Sequence, residues 1–420
     1  MLSLKSKWTA VLGAALLATG TILAQDSKAL LDVLVHKGIL TNDEAVQISK
    51  ELAKSTTATE VSTSKGKYLQ KLTLSGRFQI QYAGLSTDID GTDADPAATN
   101  HLFLRRLYVG AKAELGNGWT GNLNYDFAGS TFDAAFVQWK KSDELVLDIG
   151  FRKVPFGLEE WYTSSSNLRA IERSPGTRFF VEGNNGRRLG AGSYRTGLFL
   201  GGKTTNGLFY NVALTNPERD ESAAGVTGQG SAATNTLAYW GNVGYSGKAA
   251  ATTYVVSGSV GVLPDQGGKA IGTGSDLTVY NAFSEITNGP FDLQLEYFAS
   301  KNDNGRAAGR DAHSWAFSVQ PAYKVTDRLE LVGRYTYVGS DGRGLTTSDL
   351  IRSAPSGGTM NELTEWFGGL NVYLRGNDVK WQIGYIHGES RDLVNGAGNV
   401  VKGTGKATTD GVRSMMQLNF

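Results

Sequence analysis

The residues able to do chemistry are few in kind. Cysteine is absent, which removes thiol catalysis, disulfide scaffolds and cysteine-ligated metal together. The four histidines are His36, His101, His313 and His387, and none has the histidine–histidine or histidine–carboxylate spacing of a metal site. Only His313 stands beside a hydroxyl, Ser314. A Ser/His hydrolase is therefore one class to weigh, but a triad needs a third group to orient the base and the sequence supplies none. Gly197 to Thr204 spells the string of a phosphate-binding P-loop. A true P-loop opens a helix, whereas here Asn206-Gly207 and an alternating segment follow, so the string reads as a hairpin turn. Asp88, Asp90, Asp93 and Asp95 offer oxygen ligands to a hard cation, with a solvated acidic loop as the simpler reading.

The remaining chemistry is electrostatic. Arg77, Arg106, Lys112, Arg152, Lys324, Arg334, Lys380 and Arg413 fall on the polar side of alternating segments, and Glu114, Asp126, Asp148, Glu330 and Glu365 fall on that same side. One stretch leans positive: residues 152–188 hold Arg152, Lys153, Arg169, Arg173, Arg178, Arg187 and Arg188 against Glu159, Glu160, Glu172 and Glu182, a net +3. Local positive excess draws anions. Cations that merely pair with facing carboxylates make a mixed, weakly selective surface, and the two readings stand side by side here.

Stepping outward, 41 basic against 40 acidic side chains exclude the clearly basic domain that nucleic acid requires. A hydrophobic fraction of 40% and a mean hydropathy of -0.24 exclude a bundle of membrane-spanning helices. Residues 1–24 read as a secretory signal peptide: Lys5 and Lys7, an apolar run from Trp8 to Leu23, and small Ala24. Its removal leaves 39 basic and 40 acidic groups, a formal -1. Residues 25–54 predict a short helical, coiled-coil-like segment, with one stripe through Leu30, Leu31, Leu34 and Val35 and a capping box at Thr41 and Glu44. Residues 55–67, rich in Ser, Thr and Lys, read as a linker.

From residue 68 to 420 the period is two. In 71–82, Leu72, Leu74, Phe78, Ile80 and Tyr82 share one parity and Lys71, Thr73, Ser75, Arg77, Gln79 and Gln81 the other. The pattern is strong at 119–127, 145–152, 208–214, 313–325, 328–337, 379–385 and 412–420. It is weaker at 103–115, 132–140, 188–200, 237–245, 252–262, 276–286, 291–299 and 364–374. Sixteen strands result. Their joins alternate short and long, the long ones being 84–100, 153–187, 216–235, 264–275, 301–312, 339–362 and 388–409, with 129–131 short where a long one is due. Short turns at one end, long loops at the other and strands of about ten residues describe an all-β, antiparallel transmembrane barrel of a bacterial outer membrane. Lipid forbids an open sheet edge, so the sheet must close. Trp119, Tyr335, Tyr337, Trp366 and Tyr385 near strand ends suit aromatic girdles. A soluble sandwich or propeller is the alternative.

Two blocks carry a family resemblance: Gly150-Phe-Arg-Lys-Val-Pro-Phe-Gly-Leu-Glu-Glu160 and Leu168-Arg-Ala-Ile-Glu-Arg-Ser174. With Leu329 to Tyr335 and Gly369 to Leu374, they resemble the phosphate-selective porin O and P family, from about residue 70 to the terminus. The resemblance implies a sixteen-stranded, homotrimeric porin in a Gram-negative outer membrane, surrounded by lipid, with no enzymatic activity and no cofactor. It implies passage of small hydrophilic solutes, favouring anions such as phosphate, and a third external loop folded into the lumen. The join 153–187, counted independently, is that loop and carries both blocks. Candidate pore-lining residues are then Arg77, Arg106, Lys112, Arg152, Lys153, Arg169, Arg173, Lys324, Arg334, Lys380 and Arg413. A general or sugar-passing porin is the second reading.

Overall fold

The computed structural model describes residues 59–61, 68–91, 95–217, 236–269 and 275–420. The expected signal peptide and helical segment lie outside the described residues. Sixteen long strands form one closed antiparallel sheet. They are β1 (Lys71–Ile89), β2 (Thr99–Gly116), β3 (Trp119–Asp126), β4 (Thr131–Ser142), β5 (Leu145–Lys153), β6 (Tyr194–Lys203), β7 (Leu208–Thr215) and β8 (Ala238–Ala249). The chain continues through β9 (Thr252–Leu263), β10 (Leu277–Asn288), β11 (Phe291–Ala307), β12 (Trp315–Thr326), β13 (Leu329–Gly339), β14 (Met360–Arg375), β15 (Val379–Val394) and β16 (Val400–Asn419). Each pairs with its sequence neighbour, and β16 returns to β1 with Asn419 opposite Arg77 and Ala407 opposite Ile89. The seam is finished by reciprocal backbone bonds between Gly76 and Phe420, 2.7 and 3.1 Å. The Phe420 ring lies where a side chain on residue 76 would stand, so a larger residue there would have to displace that ring. Within the stretch read as linker, Thr59–Val61 pairs with Leu72–Leu74 beside this seam.

Alternation decides which way each residue points. Ile80, Leu123 and Leu331 are exposed on the outer wall, whereas Gln79, Gln382 and Gln417 are buried inside. Trp315 against Tyr337 (4.7 Å) and Tyr335 against Trp366 (4.5 Å) belong to an aromatic cluster on the outer wall. Several joins are shorter than the sequence suggests, because pairing runs on beyond the expected limits. β1 extends to Ile89, β11 to Ala307 and β15 to Val394, while β16 begins at Val400. The expected long join 388–409 is therefore mostly a two-stranded extension closed at 395–399. The P-loop-like string is indeed strand β6 running into the turn that leads to β7.

The inner wall is not uniformly polar. Trp240, Leu263, Leu277, Val279, Phe298 and Ala316 point inward and are buried. They form an apolar bed on β8–β12 for the third external loop, residues 154–193. Phe156 meets Trp240 and Phe298 at 5.9 and 5.7 Å, and Phe180 stacks on Phe298 at 5.0 Å. Each such ring contributes about 1.5–3 kcal/mol on burial, enough to hold the loop in the lumen. The seventh external loop, 340–359, also turns inward, burying Leu345, Leu350 and Ile351.

Candidate functional site: the loop-lined lumen

Pro155 has no N–H to extend the ladder of β5, and Gly157 takes φ 93, so the chain leaves the wall there. A single π-turn, Leu158–Tyr162, follows; the N–H groups of Trp161 and Tyr162 both donate to the Gly157 carbonyl. Residues 164–172 then run along the inner wall of β14, β15, β16 and β1. Their carbonyls take the bonds: Ser165 accepts from Gln79 (3.4 Å), Ser166 from Gln417 (3.1 Å), Leu168 from Lys380 (2.9 Å), and Arg169 from Asn371 and Gln382 (both 2.9 Å). Helix α1 (Pro175–Val181) closes the loop; Ser174 caps it by accepting from the Thr177 N–H, and Pro175 fits the first turn.

Charge in the lumen is segregated. The wall from β15 through β2 carries Lys380, Arg413, Arg77, Arg105 and Arg106, whereas β10–β14 carry Glu285, Asp292, Glu296, Glu330 and Glu365. The loop lies between and answers both. Arg169 pairs with Asp292 and Glu330, each at 2.7 Å. Glu172 takes Arg105 at 2.5 Å. Arg334, on the acidic wall itself, pairs with Glu365 at 2.8 Å and reaches Glu159 at 3.5 Å.

Four of the sequence-predicted cations converge where the loop meets β1–β5. Arg77 donates to Ser165 Oγ at 2.6 Å and lies 5.3 Å over the Tyr108 ring. Arg106 donates to Gln79 at 2.8 Å. Lys153 and Arg173 share Glu160, at 3.3 and 2.7 Å. Burial opposes the charge on Arg173, but Glu160 beside it more than compensates and raises its pKa above the usual guanidinium value. The others lie elsewhere. Arg152 is ion-paired with Asp148, and Lys112 with Glu114 at 3.3 Å. Lys324 lines a 420 Å³ chamber on the tight-turn side of the loop, together with Arg169 and Tyr373. Lys380 and Arg413 are buried behind the loop. Among the described residues Arg77, Arg106, Lys380 and Arg413 have no carboxylate partner.

Two features escaped the sequence. Arg105 carries the outward parity, yet a bulge opposite Gln79–Ile80 inserts it as an extra residue, so Arg105 and Arg106 both point inward. Arg352, on the seventh loop, meets Glu172 at 3.2 Å and Glu182 at 2.5 Å. The apolar run around Leu350 and Ile351 was the available signal for that loop's burial. Ser314, the hydroxyl beside His313, is buried and directs its proton to the Ser340 carbonyl at 2.9 Å.

The family model described as phosphate-selective porin O and P matches residues 72–420. An anion-selective porin from Comamonas acidovorans superposes with a TM-score of 0.55 at 12% identity, covering 83% of this chain and 99% of that one. The outer membrane channel DcaP of Acinetobacter baumannii gives 0.54 at 12%, covering 86% and 100%. OmpF of Salmonella typhi, in complex with daunomycin, gives 0.52 at 12%, covering 86% and 100%. No curated protein matches the chain.

Proposed function

The chain belongs to the phosphate-selective porin O and P family, and from that premise we propose that it is a passive diffusion channel favouring small anions, phosphate among them. The observation that carries the preference is the wall of Arg77, Arg106 and Arg413, guanidinium groups with no carboxylate partner among the described residues. The acids across the lumen are largely answered by Arg169 and Arg334. A low-dielectric wall focuses the remaining positive field into the aqueous path. In this reading residues 1–24 direct export across the inner membrane of a Gram-negative cell, and 68–420 form the barrel, which sits in lipid as a homotrimer.

A general or sugar-passing lumen is the second reading, favoured by the pairing of Arg152 with Asp148 and of Arg173 with Glu160. Reversal potential in a planar bilayer under a potassium chloride gradient separates the two, with phosphate then added. Anion preference and a chloride current lowered by millimolar phosphate are expected. Cation selectivity, or a current untouched by phosphate, would overturn the proposal.

A further inference from the structure

We propose that the chamber on the tight-turn side of the π-turn, between it and β5–β7, is a binding subsite for small aryl carboxylates. This deepens the anion-channel reading and rests on it. The chamber encloses about 350 Å³, within the range that holds small organic ligands. Four aromatic side chains stand among its lining residues, which is unusual for a surface facing a water-filled lumen. Trp161 and Tyr162, projected by the π-turn, and Phe199 and Phe209, from β6 and β7, all line it. Tyr162 stacks with Phe209 at 6.1 Å and approaches Phe283 at 5.2 Å, so the rings are held rather than free to collapse into the space.

The polar groups select the ligand's head. Of the neutral amides, Gln138 donates to Asp148 at 2.8 Å and Asn211 to Asn242 at 3.2 Å. The charged residues lining the chamber are Arg152, Lys153 and Lys203 against Asp143 and Asp148, an excess of one positive charge. The Arg152 guanidinium is fixed by Asp148 and sits 5.1 and 5.4 Å over the Phe199 and Phe136 rings. Lys203 lines the chamber without an ion-pair partner among the described residues. A flat apolar body between rings and a carboxylate on Arg152 or Lys203 satisfies both parts of the site. The second chamber, across Tyr162, has no such ring wall and balances Arg169 and Lys324 against Glu285 and Asp327.

The test uses the full chain and three probes: benzoate, acetate and benzyl alcohol. In planar bilayers benzoate should depress the chloride current at concentrations where acetate and benzyl alcohol do not. Phe209→Ala should weaken the benzoate effect about 2–10-fold, the worth of one aromatic contact, relative to acetate in the same channel. Independently of conduction, benzoate should quench tryptophan fluorescence of the detergent-folded protein, and Trp161→Phe should remove that component. Equal effects of benzoate and acetate in an anion-selective channel, with no Trp161-dependent quenching, would overturn the subsite while leaving the anion reading intact. Cation selectivity together with Trp161-dependent quenching would overturn the anion reading and leave the subsite standing.

Discussion

Arg352 Nη2 lies 2.5 Å from Glu182 Oε1, and this contact ties the seventh loop to the third across the lumen. The same guanidinium holds Glu172, which Arg105 grips from the barrel wall. Two loops and one strand are thus joined through two carboxylates. Arg352→Ala would leave both acids short of a donor, at a cost of about 1–3 kcal/mol. Single-channel recording should show larger conductance fluctuations than in the unmodified protein. A variant as quiet as the original would mean that apolar packing alone fixes the loops.

The same acids set a pH dependence. Burial favours the neutral form of Glu172, but Arg105 and Arg352 outweigh it and hold its carboxyl well below the usual carboxylate range. Glu182 is likewise lowered, by Arg178 and Arg352 against its burial. A depressed folded-state pKa means that the stabilisation is complete above the unfolded value, about 4.3. It is lost as pH falls through the lower folded value. Current noise should therefore show no contribution from these acids from pH 5 to 8 and rise only below about pH 4. A rise centred near neutrality would place the loop latch on other groups.

Parity gives a test of the membrane face. Arginine in place of Ile80 or Leu331, both exposed on the outer wall, should cost about 2–4 kcal/mol near the bilayer midplane. Arginine at Thr73 or Asn124, on the inner parity, should cost far less. Folding yield in lipid or detergent reads the difference, and equal sensitivity at both faces is incompatible with this barrel.

Arg77 is the accessible member of the unpaired wall. Arg77→Gln should lower the anion-to-cation permeability ratio in 0.1 M salt, where the Debye length is about 10 Å. The difference should fade near 1 M, where that length is about 3 Å. Arg310→Gln should leave the ratio unchanged, since Arg310 is taken up by the Ala397 carbonyl and Asn399 at the long-loop end. Reversal potentials at the two salt concentrations decide it.

The barrel was legible because lipid outside and water inside impose a period of two, and each of the sixteen strands overlaps a segment where that period appears, although residues 188–193, expected to open a strand, belong to the third loop. The weak patterns at 237–245, 252–262, 276–286 and 291–299 have a physical cause. Trp240, Leu263, Val279 and Phe298 face inward onto the loop, so where they stand both faces of the strand are apolar and the contrast fades, although Asn242, Ser257, Asn281 and Glu296 keep the rest of the inner face polar. The third loop's place followed from counting joins. Arg105 was illegible because a bulge is set by register against β1, not by β2's own sequence. Which cations stay unpaired was equally hidden, since partners such as Arg169 and Asp292 lie far apart in the chain.

The strap at 164–172 is gripped by its carbonyl oxygens, through Gln79, Gln417, Lys380, Gln382 and Asn371. Carbonyls are common to every residue type, so this attachment does not depend on which side chains the strap carries. The wall keeps these carbonyl bonds while the exposed Ser164 or Asn167 is exchanged, whereas Arg169 also answers Asp292 and Glu330. Permeant choice can therefore drift, under selection or in the laboratory, by substitutions confined to the strap, with the barrel inherited unchanged.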